Sequence, residues 1–147
     1  MKARVRPSTP CALVWNYPET QPGWLKLQEI CLAYGLTLRP VGSAQAGHTI
    51  GALCQLPGAS QAATLQFLPD DAFPSALILH GLDRKQLDGL LKELRAAQVQ
   101  IALKAMVTPT NQAWTLANLL GELCRERDEF ARRAAAAKER LQQDSAQ

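Results

Sequence analysis

Two stretches of the chain are apolar almost without interruption, Cys11 to Tyr17 (CALVWNY) and Ser75 to Gly81 (SALILHG). Each is too short for an ordinary helix and lacks polar alternation. That predicts two strands covered on both faces, as in the middle of a sheet with helices above and below. Two other stretches alternate. Leu36 to Val41 sets Leu36 and Leu38 against Thr37 and Arg39, and contains Pro40, which a central strand would not tolerate. Val99 to Val107 sets Val99, Ile101, Leu103, Ala105 and Val107 against Gln100, Ala102, Lys104 and Met106. Both predict edge strands.

Helical spacing fills the gaps. Leu27, Ile30, Cys31 and Tyr34 make one stripe in a helix from about Pro22 to Tyr34, closed by Gly35. A short helix is expected over Thr49 to Leu56, with Pro57-Gly58 breaking it and a further turn after Ser60. The helix after Gly81 is the best signed. Asp83 is its N-cap, Gln86 completes a capping box, and Leu82 is placed to staple onto Leu87. Leu87, Leu90, Leu91 and Leu94 form its stripe. In the last helix the stripe is Leu116, Leu119, Leu120 and Leu123. Beyond Cys124 it fades into a charged segment, with Asp128/Arg132 and Glu129/Arg133 as i,i+4 pairs and Phe130 and Leu141 as its large apolar residues.

This order predicts an α/β fold with a four-stranded sheet. One solution is wholly parallel, strand order 2-1-3-4, with helices on both faces. The alternative is a ferredoxin-like α+β sheet, order 4-1-3-2, covered on one face. The link of 33 residues from Gly42 to Pro74 carries a helix and so suits a parallel crossover. The expected organisation is a basic N-terminal arm (1–9, with Lys2, Arg4 and Arg6), a body (10–124) and a charged helical extension (125–147).

Composition narrows the class. Apolar residues are 47% and charged residues 20% of 147, a globular balance. The net charge of +3 is too mild to imply nucleic acid. After Arg125 acidic and basic residues interleave, so no basic stripe forms. No apolar run reaches the ~20 residues of a membrane span. Met1 to Thr9 is charged and leads straight into a strand, so a soluble, cytoplasmic protein is expected. Cys11, Cys31, Cys54 and Cys124 lie far apart in apolar segments, unlike a disulfide framework or a zinc site, and read as buried core residues. Neither metal nor cofactor is implied.

Lys104-Ala-Met-Val-Thr-Pro-Thr-Asn111, followed by Trp114-Thr115, resembles the LKAVLTPTN…W signature of a small bacterial family of unknown function. Leu79-His80-Gly81-Leu82 and the leucine-rich helix also fit that pattern, over about Ser75 to Cys124. Met106 stands where Leu is usual and Ala102 where Pro is frequent. The resemblance implies no activity.

The same segment carries the candidate site. In the parallel sheet, Thr108 to Asn111 would leave a strand's C-terminal end and open a helix, where free N–H groups favour an anion. Thr108, Thr110 and Asn111 would add donors. Lys104 would be a counter-charge, though ~13 Å back along the strand. Tyr17 and His80, ending the central strands, would share that rim. The competing reading is plain: Thr-Pro-Thr-Asn is a good turn and cap sequence without any ligand. His48 and His80 lack metal-ligand spacing. Asp70 and Asp71 read as solvated loop carboxylates. With no nucleophile motif, the expectation is a binding or regulatory module for an anionic ligand or a protein partner, monomeric or weakly dimeric. The alternative is a small enzyme using Tyr17, His80 and Lys104.

Overall fold

The computed structural model describes residues 9–60, 63 and 68–145. The basic arm and the turn expected after Ser60 fall largely outside those residues. The elements are β1 (Cys11–Trp15), α1 (Trp24–Ala33), β2 (Thr37–Val41), α2 (Ile50–Leu53), β3 (Ala76–His80), α3 (Arg84–Ala96), β4 (Leu103–Met106) and α4 (Leu116–Ser145). Short 3₁₀ turns at Ser43–Gln45 and Asn111–Ala113 precede α2 and α4.

The four strands form one sheet in the order β2-β1-β3-β4, with both apolar strands in the middle. β1 is buried along its whole length and β3 up to His80, because helices cover both faces. On one face, Ala12, Val14, Leu77 and Leu79 pack under α1 and α3. On the other, Cys11, Leu13, Trp15, Ala76 and Ile78 pack under α2 and the start of α4.

The strand directions differ from a wholly parallel sheet. β1–β2 and β3–β4 are parallel, but β1–β3 is antiparallel, with Cys11 opposite His80 and Trp15 opposite Ala76. The α/β class, the order and the two covered faces are as expected; the sheet is mixed. Link length misled because 33 residues permit a crossover without requiring one. Here the link places a single helical turn, α2, on the second face instead.

With that reversal the chain divides into two half-units of like topology. Each is a strand–helix–strand crossover followed by a 3₁₀ turn and a helix on the opposite face. The correspondence extends to the backbone. Gly35 (φ 73) and Gln98 (φ 60) end α1 and α3 in the left-handed region. The next residues, Leu36 and Val99, both donate back to the helix, to Cys31 and Leu94, at 2.9 Å. At the junction, Ile50 N donates to Trp114 O and Leu116 N to His48 O, again both at 2.9 Å. Thr49 and Thr115 face each other there in an isolated antiparallel bridge. Each caps the helix it precedes, receiving Ala52 N at 3.1 Å and Asn118 N at 3.2 Å respectively.

One local expectation needs refinement. The alternation of Val99 to Val107 does not hold through: Val99 and Ile101 face the α1/α3 side, whereas Leu103 and Val107 face the α4 side. The chain bends at Ala102, whose N–H is held by Ser75 Oγ at 3.0 Å, and only then enters β4. Beyond Cys124 the chain stays helical, as expected: α4 runs 30 residues, about 45 Å at 1.5 Å per residue.

Candidate functional site

The sequence-level candidates fall into two groups at opposite ends of the sheet. β3 and β4 point alike, so His80 and the Thr108–Asn111 turn do share an end. Val107 N donates to Leu79 O there at 2.8 Å. β1 runs the other way, which carries Tyr17 to the far end, beside Ser75 and the start of β4. A shallow polar groove at that end is lined by Tyr17, Asn16, Ser75, Gln98 and Gln100. It continues past Arg95 to Lys104. Lys104 belongs to this end because its side chain reaches back along the strand, Nζ donating to Ile101 O at 3.0 Å. The six residues therefore do not converge.

The Thr-Pro-Thr-Asn turn is closed on itself. Asn111, 8% exposed, accepts from Thr108 N at Oδ1 (2.8 Å) and donates from Nδ2 to Met106 O (2.9 Å). Its own N–H donates to Thr108 Oγ1 at 3.0 Å. This is a reciprocal cap, each side chain satisfying the other's backbone. Thr110 is exposed and makes no side-chain cap.

The helix that the turn leads to is also spent as an anion site. The first N–H groups of a helix lack intrahelical partners, and that is what an anion exploits. At α4 they are taken: Leu116 N by His48 O (2.9 Å), Ala117 N by Ala46 O (3.0 Å) and Asn118 N by the Thr115 hydroxyl. The first half-unit caps the second.

His80 is half-buried, and burial holds its imidazole below the usual histidine pKa. Asp70 is structural rather than merely solvated: its Oδ1 accepts from Ser43 N at 2.7 Å. Among the described residues, no group of three or more His, Cys, Asp or Glu is placed to hold a metal. No described helix is long and apolar enough to cross a membrane.

One feature escaped the residue-type reading. It lies on the outer half of α4. Every residue from Arg125 to Gln143 is exposed, including Phe130 at 75% and Leu141 at 68%. Leu116, Leu120, Leu123, Arg127, Phe130, Ala134, Ala137 and Leu141 follow a strict four-three spacing. That is a heptad seam, packed against the sheet in its first half and exposed in its second. The large residues alone looked too sparse; the two alanines complete the spacing.

The chain matches no curated protein and no solved structure. A family model described as a domain of unknown function, DUF3783, matches residues 75–130. Those residues are the second half-unit, from the entry of β3 to the middle of α4, and over that half-unit the chain is similar to this domain of unknown function.

Proposed function

We propose that the protein is an interaction module. Residues 10–124 form its body, the helix from Arg125 onward is its contact surface, and the occupant is a second copy of the same helix laid antiparallel. The observation that carries this reading is the exposure of the outer half of the heptad seam, Phe130 above all. A helix so exposed gains little from its own fold, and covering Phe130 and Leu141 would contribute about 1.5–3 kcal/mol each.

Side-chain size and charge favour a second copy. Antiparallel pairing sets each bulky Phe130 over the small Ala134 of the other copy. It brings Glu126 beside Arg140 of the second copy, twice by symmetry. Parallel pairing would instead stack Arg127 on itself and set Arg133 against Lys138. Arg133, which meets its own equivalent in the antiparallel arrangement, is held by Glu129 of its own helix at 2.6 Å. A seam this short supports weak association. The setting we propose is a bacterial cytoplasm, whose reducing poise keeps the four free cysteines as thiols.

The test is sedimentation-equilibrium ultracentrifugation of charge-swap variants. Glu126→Arg or Arg140→Glu alone should shift the full chain toward monomer, and the two together should restore the dimer. Phe130→Ser should abolish it while leaving the melting temperature of the body unchanged. A wild-type chain that is monomeric at all concentrations, or single swaps without effect, would overturn the reading. Retention of a foreign acidic helix by a monomeric chain would point to a different occupant.

A further inference from the structure

The end of β1 breaks the alternation of the strand. Strict alternation would put Tyr17 on the face of Leu13 and Trp15, under α2 and α4. Asn16, in the left-handed region at φ 52, turns the chain, and Tyr17 packs on the opposite face with α1 and α3. Its ring stacks on Trp24 with centroids 6.5 Å apart, and the residue is only 9% exposed. Its hydroxyl lies over Gly23, the N-cap of α1: a Cβ on Gly23 would stand 2.3 Å from that oxygen. The position therefore excludes a capping side chain, and α1 begins without one. Tyr17 and Gly23 both line the polar groove at this end of the sheet.

Two sets of donors are left open at that point. The first is backbone. Trp24 N donates to Gln21 O at 3.0 Å and Leu27 N to Gly23 O at 2.9 Å, but among the described residues Leu25 N and Lys26 N meet no acceptor. The second is the Tyr17 hydroxyl. It has no hydrogen-bond partner among the described residues, although almost all of the residue is buried. Buried polar groups are nearly always paired, so an open one at a groove marks a place for a polar group from outside the chain. The charge of the groove suits an anion. Neither Asp nor Glu lines it, and no acidic residue lies in the first turn of α1. Arg95 and Lys104 line its continuation past Ser75, Gln98 and Gln100, and among the described residues neither forms an ion pair.

We propose that this groove binds a small phosphate monoester, with the phosphate seated on the start of α1 and the polar body of the ligand lying over Gln98 and Gln100. Leu25 N, Lys26 N and the Tyr17 hydroxyl donate to the phosphate oxygens, and the dipole of a ten-residue helix adds to their attraction. Arg95 and Lys104 draw the dianion toward the groove. The section beside Tyr17 holds about 450 Å³, within the range of small-molecule sites. The site is independent of the helix pairing proposed above.

The experiment follows the backbone amide resonances of the isotope-labelled full chain as inorganic phosphate is added at constant ionic strength, with sodium chloride as the control. The expected result is a saturable shift centred on Leu25 and Lys26 that chloride does not reproduce. Glycerol phosphate should bind more tightly than inorganic phosphate and extend the shifts to Gln98 and Gln100, and glycerol should leave all four resonances in place. Tyr17→Phe keeps the ring on Trp24 and should weaken phosphate several-fold while the same resonances move. Gly23→Ala, which pushes the hydroxyl aside, should weaken it likewise and serves if Tyr17→Phe fails to fold. Shifts that rise without saturation, shifts centred elsewhere on the chain, glycerol phosphate binding no better than glycerol, or an affinity indifferent to the folded variants would each overturn the proposal.

Discussion

Cys11 stands directly opposite His80 across the β1–β3 ladder, so the start of one central strand meets the end of the other. That single pairing separates Tyr17 from His80 by the length of the sheet. It also makes the two half-units head-to-head rather than stacked in series. The pairing has a thermodynamic corollary at His80. Burial lowers its pKa in the folded chain relative to the ordinary value of 6.5. The unfolded chain then binds more protons than the folded one as pH falls through that value, and stability rises with pH. The stability His80 provides by remaining neutral is present above pH 6.5 and is lost as pH falls below it. Melting curves between pH 7.5 and 5.5 should decline in the wild type, and His80→Gln should flatten that part of the decline. An unchanged slope would mean His80 is not the group responsible.

Asn111 and Thr110 separate a structural turn from a ligand site. Asn111→Ala removes two side-chain hydrogen bonds and leaves Met106 O and Thr108 N without their partners in a half-buried place. Unsatisfied buried groups cost about 1–3 kcal/mol each at the upper end of such effects, so a loss of about 2–3 kcal/mol is expected. Thr110→Ala, at an exposed position, should change stability by less than about 0.5 kcal/mol. Urea titration of both variants checks this. Were Thr110→Ala to destabilise as much as Asn111→Ala, the reciprocal cap would not be what holds the turn.

How far the fold was legible follows from the range of each interaction. The Asp83–Gln86 box forms as expected, Gln86 N to Asp83 Oδ1 at 2.7 Å and Asp83 N to Gln86 Oε1 at 2.9 Å, because everything it needs lies within four residues. The α1 and α3 stripes, the central and edge strands and the short α2 are also set by local spacing. The direction of β1 relative to β3 is not, since either direction buries the same apolar faces. The internal correspondence was hidden because it lives in backbone geometry: Gly35 and Gln98 share a conformation but no side chain. Only His48-Thr49-Ile50 and Trp114-Thr115-Leu116 carry it visibly. The candidate site does not gather because Tyr17, His80 and the Thr108 turn share one rim only if β1 and β3 run alike, and they run opposite ways.

Gly81 and Gly58 both lie in the left-handed region, at φ 91 and φ 74, but only Gly81 is crowded. A Cβ there would meet Pro10 Cα and Cβ at 2.8 Å, whereas none of Gly58's surroundings come within 4 Å. Gly58→Ala should cost about 1 kcal/mol, the strain of positive φ alone. Gly81→Ala adds a backbone clash at the end of a central strand and should cost at least about 2–3 kcal/mol. Equal losses, read by thermal or urea unfolding, would show that Pro10 yields freely and that the start of β1 is not held against the end of β3.

The body and the outer half of α4 should behave as thermodynamically separate parts. Leu116 and Leu120 are fully buried and anchor the helix to the sheet, so Leu120→Ala should cost about 2–5 kcal/mol. From Arg125 to Gln143 the side chains are exposed, and a helix gains most of its stability from tertiary packing. A stop codon after Glu126 should therefore leave the melting temperature of the body within a few degrees of wild type. The same truncation should abolish any concentration dependence of that temperature, because association that binds only the folded chain raises it by mass action. Calorimetry at several protein concentrations reads both effects. A truncated chain that melts far below wild type even at high dilution would show that the outer helix supports the body directly, and that its exposed seam is not free to serve as a contact surface.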